Sequence, residues 1–300
     1  MLLAAISEVQ VKSVLKIAAV IITILLLLLG CVAAVGFILG APAHKGQASS
    51  NFDGVRFYNL YKAETKTLLD VIKWQLSRKK PVWPKYVNNK IYRLPQKRVI
   101  VPGVVSVTFI NHATVLLQFD GLNILTDPIW SMRASPFSFA GPKRVRPPGL
   151  SLNSCPHIDA VLISHNHYDP LDIGTLLRIK ERFHPVFVTG LGNDLLLRKS
   201  GIKKVISLNW WQSAKVGRDR LYFVPAQHFS GRGLFDRNKT LWGGFVIQSS
   251  SGPIYFAGDT AQGPHFSMIR EKFGPIFLAM LPIGAYKPRN VMSSSHIDPK

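Results

Sequence analysis

The sequence predicts an α/β protein of layered sheets standing behind one N-terminal membrane-spanning helix. Three observations carry that prediction. Ile17 to Ala41 is a charge-free run of 25 residues in which Thr23 is the only hydroxyl side chain. From Val104 onward, short β-branched and apolar runs first succeed one another and then alternate with helical periodicity, as strands followed by strand–helix units do. Several of these apolar runs end in His or Asp, most clearly Ile158–Ser164, which leads straight into His165-Asn166-His167-Tyr168-Asp169.

As a helix the N-terminal run spans about 37 Å at about 1.5 Å per residue, more than the roughly 30 Å of a bilayer core. Leu28-Leu29-Gly30-Cys31 loosely resembles a lipoprotein processing site, and Ala41-Pro42-Ala43 a signal-peptidase site. The chain stays apolar for ten residues beyond Cys31, and the run exceeds the roughly 7–15 residues of a signal-peptide core. Residues 1–41 therefore read as an uncleaved single-pass anchor. Lys12 and Lys16 before the span balance Lys45 and Arg56 after it. The commoner arrangement, a short tail inside and the large domain on the extracytoplasmic side, is the expectation.

Cys31 and Cys155 are the only cysteines, and Cys31 lies inside the span, so no disulfide framework is available. The net charge is +21, and beyond the anchor 35 cations stand against 15 acids. Such a surface attracts anionic lipid headgroups or nucleic acid. Beside a membrane anchor, and without stacking-platform motifs, membrane phospholipid is the expected partner and nucleic acid is not.

Residues 42–100 read as a linker and N-terminal extension. The stretch 42–55 (APAHKGQASSNFDG) is small and polar. Residues 56–100 are broken by Pro81, Pro84 and Pro95 around a short amphipathic helix at Leu68–Leu76. There Trp74, Trp83 and Tyr86 interleave with Arg78, Lys79, Lys80 and Lys85, the composition of a headgroup-facing surface or of an extension packed on the domain. The domain proper occupies 101–300. Val104–Asn111 and Thr114–Phe119 alternate as strands, Asp120-Gly121 offers a hairpin turn, and Leu122–Thr126 returns. Strands follow at Asp159–Ser164, Val186–Thr189, Lys204–Leu208, Arg220–Ala226, Leu241–Gln248, Ile254–Ala257 and Ile276–Pro282. Helices read at Leu171–Phe183, Asn193–Ser200 and His265–Phe273.

The His-x-His-x-Asp loop offers two imidazoles and a carboxylate at alternating positions, donors that suit zinc and similar divalent ions. His228 follows the strand Arg220–Ala226, Asp259 sits in Gly258-Asp259-Thr260 after Ile254–Ala257, and His296 follows Ser293-Ser294-Ser295. Each alone is an ordinary polar residue at a strand end. Jointly they point to ligands gathered along one sheet edge.

In this order the motifs resemble the metallo-β-lactamase superfamily, nearest to its N-acylphosphatidylethanolamine-hydrolysing phospholipase D branch. The matching segments include Asn111-His112-Ala113-Thr114, Leu125-Thr126-Asp127-Pro128-Ile129, IDAVLISHNHYD over 158–169, Leu241-Trp242-Gly243 and FAGDT over 256–260. LPIGAY over 281–286 and His296-Ile297-Asp298-Pro299 close the series. The resemblance implies a four-layered αβ/βα sandwich with metals at the sheet edges. It also implies one ion on His165, His167, His228 and Asp259, and a second on Asp169, the bridging Asp259 and His296. Asp169 and Asp259 would be the catalytic carboxylates. Asp127 and His112 would stand behind the ligands and aim them. The implied activity is a membrane-anchored, zinc-dependent hydrolase that cleaves a phospholipid phosphodiester with a metal-activated water.

Two departures qualify the resemblance. Where the family places a histidine after the aspartate of the first cluster, this chain has Pro170, which offers no donor. One tight zinc and one weak or absent second ion are therefore expected. The chain also reaches Lys300 just after His296, before the family's closing helix and strand, as a truncated reading frame or a fold closed differently would. The alternatives are a non-catalytic membrane protein that keeps the sandwich, and a lactonase-type metal hydrolase.

Overall fold

In the computed structural model, residues 8–61, 67–77, 82–89, 94–95 and 97–299 are described. Among these residues six α-helices and eleven strands follow in chain order, with one 3-10 turn at Leu152–Ser154. The helices are α1 (Glu8–Ile38), α2 (Leu68–Ser77), α3 (Ile173–Phe183), α4 (Asn193–Lys199), α5 (His265–Phe273) and α6 (Arg289–Met292). The strands are β1 (Ser106–Asn111), β2 (Thr114–Phe119), β3 (Leu122–Thr126), β4 (Ala160–Ile163), β5 (Val186–Gly190) and β6 (Val205–Leu208), then β7 (Ser213–Val216), β8 (Asp219–Val224), β9 (Gly244–Ser249), β10 (Gly252–Phe256) and β11 (Leu278–Met280).

The strands form two mixed sheets, ordered β1-β2-β3-β4-β5-β6 and β11-β10-β9-β8-β7. In the first, β1 to β3 run antiparallel and β3 to β6 parallel. In the second, only the β10–β11 pair is parallel. Leu117, Phe119, Leu162, Phe223, Trp242 and Phe245 fill the space between the sheets. Leu176, Ile179, Phe183 and Leu197 from α3 and α4 cover the outer face of the first sheet, and Ile269 of α5 covers the second. The result is the helix–sheet–sheet–helix sandwich expected.

Local chemistry sets the element ends. Asp172 caps α3 by accepting from the Thr175 amide, so this helix begins two residues later than its apolar periodicity implies. It ends at His184, which takes a left-handed conformation at φ 50°. The edge strand β1 alternates in burial, but Val107 and Phe109 face solvent and Ser106 and Thr108 are half-buried, the opposite phase to the one its apolar residues predict. Alternation is also expected of β2, yet its run Val115-Leu116-Leu117 is continuously apolar and all six of its residues are buried. A central strand of a four-layer sandwich has protein on both faces, so Gln118 is buried too and donates to Asn123 Oδ1 at 3.0 Å. Strand β7 (SAKV) and the one-turn α6 (RNVM) carry too little periodicity to be read from sequence. Only pairing with β8 makes a strand of Ser213–Val216.

The stretch read as a linker is docked. Phe52 and Phe57 are each 1% exposed and join the core between the sheets, and the Phe57 amide donates to the Asn238 carbonyl. Two aromatic rings outweigh the polar composition around them. Farther along, Trp83 and Tyr86 are exposed, whereas Arg78, Lys79 and Lys80 lie outside the described residues. Helix α1 touches the domain at its last turn, and the most hydrophobic window of its apolar stretch Val11–Ile38 buries nothing against the protein.

Candidate metal centre

β4 delivers His165 and His167 at its C-terminal end, and β8, in the other sheet, delivers His228 through Ala226-Gln227. The three imidazoles converge: each offers a ring nitrogen, and these nitrogens all lie within 4.8 Å of one another. His165 Nε2 lies 2.8 Å from His167 Nδ1. Asp259, one residue beyond Gly258 at the end of β10, holds Oδ2 at 3.9 Å from both His165 Nε2 and His228 Nε2. His296 stands one ring farther out, its centroid 5.2 Å from that of His228. Asp169 turns to His112, with Oδ2 3.0 Å from His112 Nε2. All eight residues singled out from the sequence thus lie around one edge of the two sheets, with Pro170 buried beside them.

The groups behind the ligands decide which nitrogens face the centre. His228 Nδ1 lies 2.9 Å from the Ser295 carbonyl and donates to it, which leaves Nε2 as the acceptor. That Nε2 is buried and, among the described residues, has no hydrogen-bond partner. A buried lone pair without a donor is costly, and a cation at the converging nitrogens would satisfy it. His165 Nδ1 lies 2.8 Å from Ser164 Oγ, and Ser164 donates to both Asp127 oxygens, through its amide at 2.7 Å and its hydroxyl at 2.6 Å. Asp127 therefore aims His165 through a serine rather than by direct contact. The serine was unmarked in the sequence, although it is the residue next to the motif.

Burial keeps the imidazoles neutral. Desolvation, then the neighbouring imidazoles, pushes His165 well below its ordinary value. Burial, with His228 beside it, takes His167 down to about 3, and burial with His296 beside it takes His228 to about 3. Neutral imidazole is the form that binds metal. The carboxylates divide. Burial disfavours the Asp169 anion, but the hydrogen bond from His112 outweighs it and holds this carboxyl below the usual range. Burial and then the charge of Asp169 raise Asp259, as two neighbouring buried carboxylates do. Burial pushes Asp127 to about 8 against the two bonds from Ser164. The donor set of three neutral imidazoles and two facing carboxylates fits a divalent ion.

Three further residues position the site, and of them only Thr260, within Gly258-Asp259-Thr260, was marked in the sequence. Asn59, from the N-terminal extension, accepts from the His228 amide (3.1 Å) and from Trp242 Nε1 (3.0 Å), and its own amide donates to the His228 carbonyl (2.9 Å). Thr260 accepts from the Gln227 amide at 2.9 Å, and its carbonyl receives the Ile297 amide, tying the His296 segment to β10. Arg232 Nη1 donates to the carbonyls of Asn166, His167 and Leu171, clasping the His-x-His-x-Asp loop. Replacing Asn59 with Ala is expected to weaken metal affinity by roughly 10–100-fold, as loss of such outer partners typically does. A zinc titration with a competing chelator would read it, and unchanged affinity would show that the backbone alone places His228.

Comparison with known proteins places the chain in a family. The sequence profile of the beta-lactamase superfamily domain matches residues 122–300. An uncharacterized Mycobacterium tuberculosis protein is 38% identical over 253 residues, 82% of this chain and 65% of that protein. N-acyl-phosphatidylethanolamine-hydrolyzing phospholipase D 1 of Caenorhabditis elegans is 40% identical over 203 residues, 64% of this chain and 57% of its own. The mitochondrial N-acyl-phosphatidylethanolamine-hydrolyzing phospholipase D of Saccharomyces cerevisiae is 34% identical over 200 residues, 64% of this chain and 42% of its own. The chain thus spans between 42% and 65% of the length of these relatives. By its motifs, its two mixed sheets and its sequence, the chain belongs to the metallo-β-lactamase superfamily, with phospholipases of the N-acylphosphatidylethanolamine type among its relatives.

Proposed function

We propose that this protein is a membrane-anchored, zinc-dependent hydrolase that cleaves the phosphodiester of an N-acylated or related phospholipid. The observation that carries this reading is the convergence of three neutral imidazoles on one point, with the buried Nε2 of His228 lacking a partner among the described residues. The relatives that hydrolyse N-acylphosphatidylethanolamine supply the substrate class. The charge of +21 and the 28-residue apolar helix supply the means of reaching it.

His165, His167, His228 and Asp259 would hold the first ion, and Asp169, Asp259 and His296 the second. A divalent ion in this place supplies a lowered water pKa and neutralises charge that develops on the phosphoryl oxygens. The chain's own groups do the rest. Asp169, kept ionised by His112, orients the attacking water and takes its proton. The Ser164–Asp127 pair fixes the tautomer of His165, and Ser295 fixes that of His228.

Pro170 is the observation that favours a second reading, a sandwich that binds one ion or none and does not turn over. Its ring leaves the second ion short of a donor where zinc takes about four. Pro170→His is expected to raise bound zinc from about one toward two ions per chain and to increase phosphodiesterase rate. Elemental analysis after dialysis against a mild chelator measures it, and two tightly held ions in the unaltered protein would show that Pro170 is compensated.

Activity tests separate the readings. Hydrolysis of N-acylphosphatidylethanolamine in vesicles, set beside a soluble phosphodiester and a lactone, distinguishes phospholipase from lactonase and both from an inert fold. Removing residues 1–30 is expected to lower turnover of the vesicle substrate by roughly 10²-fold, because the tether sets effective concentration, while the soluble phosphodiester is spared. Equal loss on both substrates would remove the membrane from the reading.

A further inference from the structure

The last turn of α1 is fastened to a loop that borders the metal centre. The Leu234 amide donates to the Gly36 carbonyl at 3.3 Å, and the Ala41 amide donates to Asp236 Oδ2 at 2.7 Å. The fit is close: a Cβ on Gly36 would meet Leu234 at 2.5 Å, and one on Gly233 would meet the Gly40 backbone at 2.8 Å. The 231–236 loop is therefore held level with the end of the apolar helix. Phe37 (77% exposed) and Ile38 (74%) end that helix, and Leu234 (61%) and Phe235 (50%) cap the loop. A cleft of about 630 Å³, lined among others by Leu39, Met132, Phe137, Tyr168 and Arg232, separates them from a second loop. That loop exposes Met132 and Phe139, the latter at 79%.

Large apolar side chains gathered from three segments are rare on a soluble surface. The exposed charges around them are positive, since the nearby Asp236 and Asp172 are buried and hydrogen-bonded. Between residues 128 and 158 the chain carries Arg133, Lys143, Arg144 and Arg146 and no acid, and Arg237 and Lys239 flank the other loop. The cleft is lined by Tyr168, the residue between His167 and Asp169, whose ring lies 3.9 Å from the Arg232 guanidinium.

We propose that the loops 132–139 and 233–235, with the last turn of α1, form a docking surface that seats in the headgroup–acyl boundary of an anionic phospholipid bilayer. The bilayer is the one α1 enters, so the inference rests on the membrane reading of that helix. The apolar tips enter the boundary, the cations meet lipid phosphates, and the cleft at Tyr168 opens toward the lipid. The anchor then does more than tether: it fixes the orientation of the metal centre.

Nitroxide depth measurement tests this without using activity. The full chain, with Cys31→Ala to leave only the buried Cys155, is reconstituted in phosphatidylcholine vesicles containing phosphatidylglycerol. Labels are placed through Leu27→Cys, Phe139→Cys, Phe235→Cys and Lys215→Cys. Labels at 27, 139 and 235 are expected to favour oxygen over a nickel chelate several-fold relative to the label at 215. Oxygen preference at 27 alone, with 139 and 235 behaving like 215, would overturn the docking surface and leave the anchor standing. Nickel access at 27 would overturn the anchor and the docking surface together. Spin–spin broadening at 139 and 235 would show a second copy of the chain on this surface and overturn the lipid assignment.

Discussion

Asp259→Ala is expected to abolish tight metal binding and to cost more turnover than the roughly 10–100-fold lost on removing an outer partner of a metal site. Asp259 is the carboxylate equidistant, at 3.9 Å, from the Nε2 atoms of His165 and His228, so its loss leaves the converging imidazoles without the carboxylate nearest to them. His165→Ala should do nearly the same, because His165 is the one imidazole ordered by a chain of partners, Ser164 and Asp127, that reaches the core. Zinc per chain after dialysis, measured beside phosphodiesterase rate, reads both effects. Stoichiometric zinc retained by Asp259→Ala would move the centre elsewhere.

Trp242→Ala is expected to be the most destabilising single truncation in the sandwich, at about 3–5 kcal/mol for a buried Trp, against a total stability of about 5–15 kcal/mol. The ring is fully buried among Trp210 and the facing aromatics of β8 and β9. Its Nε1 donates to the Ala226 carbonyl at 3.0 Å and to Asn59 Oδ1 at 3.0 Å. Truncation opens a cavity and also strips Asn59 of a partner, so His228 loosens with the core. At roughly 2–4 °C per kcal/mol, thermal unfolding in detergent should fall by about 6–20 °C. Trp242→Phe, which keeps most of the ring and loses only the N–H, should fall by much less. Equal losses would mean that the hydrogen bonds and not the packing hold this position.

The effect of Trp242 on His228 illustrates what a linear sequence conceals. Asn59 lies 169 residues before His228, inside a stretch that composition marks as an extension. No local period announces that its amide will bracket a metal ligand. Arg232 is likewise one basic residue among 37, and only the folded chain places its guanidinium beneath three carbonyls of the His-x-His-x-Asp loop. Ser164 was the most accessible of the missed residues, since it adjoins His165 and a ligand imidazole commonly leans on a neighbouring acceptor.

The sequence by itself determined the apolar helix, most of the strands and helices, and the strand ends at which the candidate ligands stand. Those features follow from short-range periodicity and from the chemistry of single side chains: a charge-free run must hide from water, and a His or Asp just beyond a buried strand emerges at a sheet edge. Tertiary structure alone decided which edges meet. It brought His228 from β8 beside His165 and His167 from β4, buried β2 on both faces, and made a strand of Ser213–Val216 by pairing it. It also drew Phe52 and Phe57 out of a polar stretch into the core, and set the end of α1 against the 231–236 loop. Each of these depends on contacts between residues far apart in the chain, whose energies arise from burial and pairing that no local window contains.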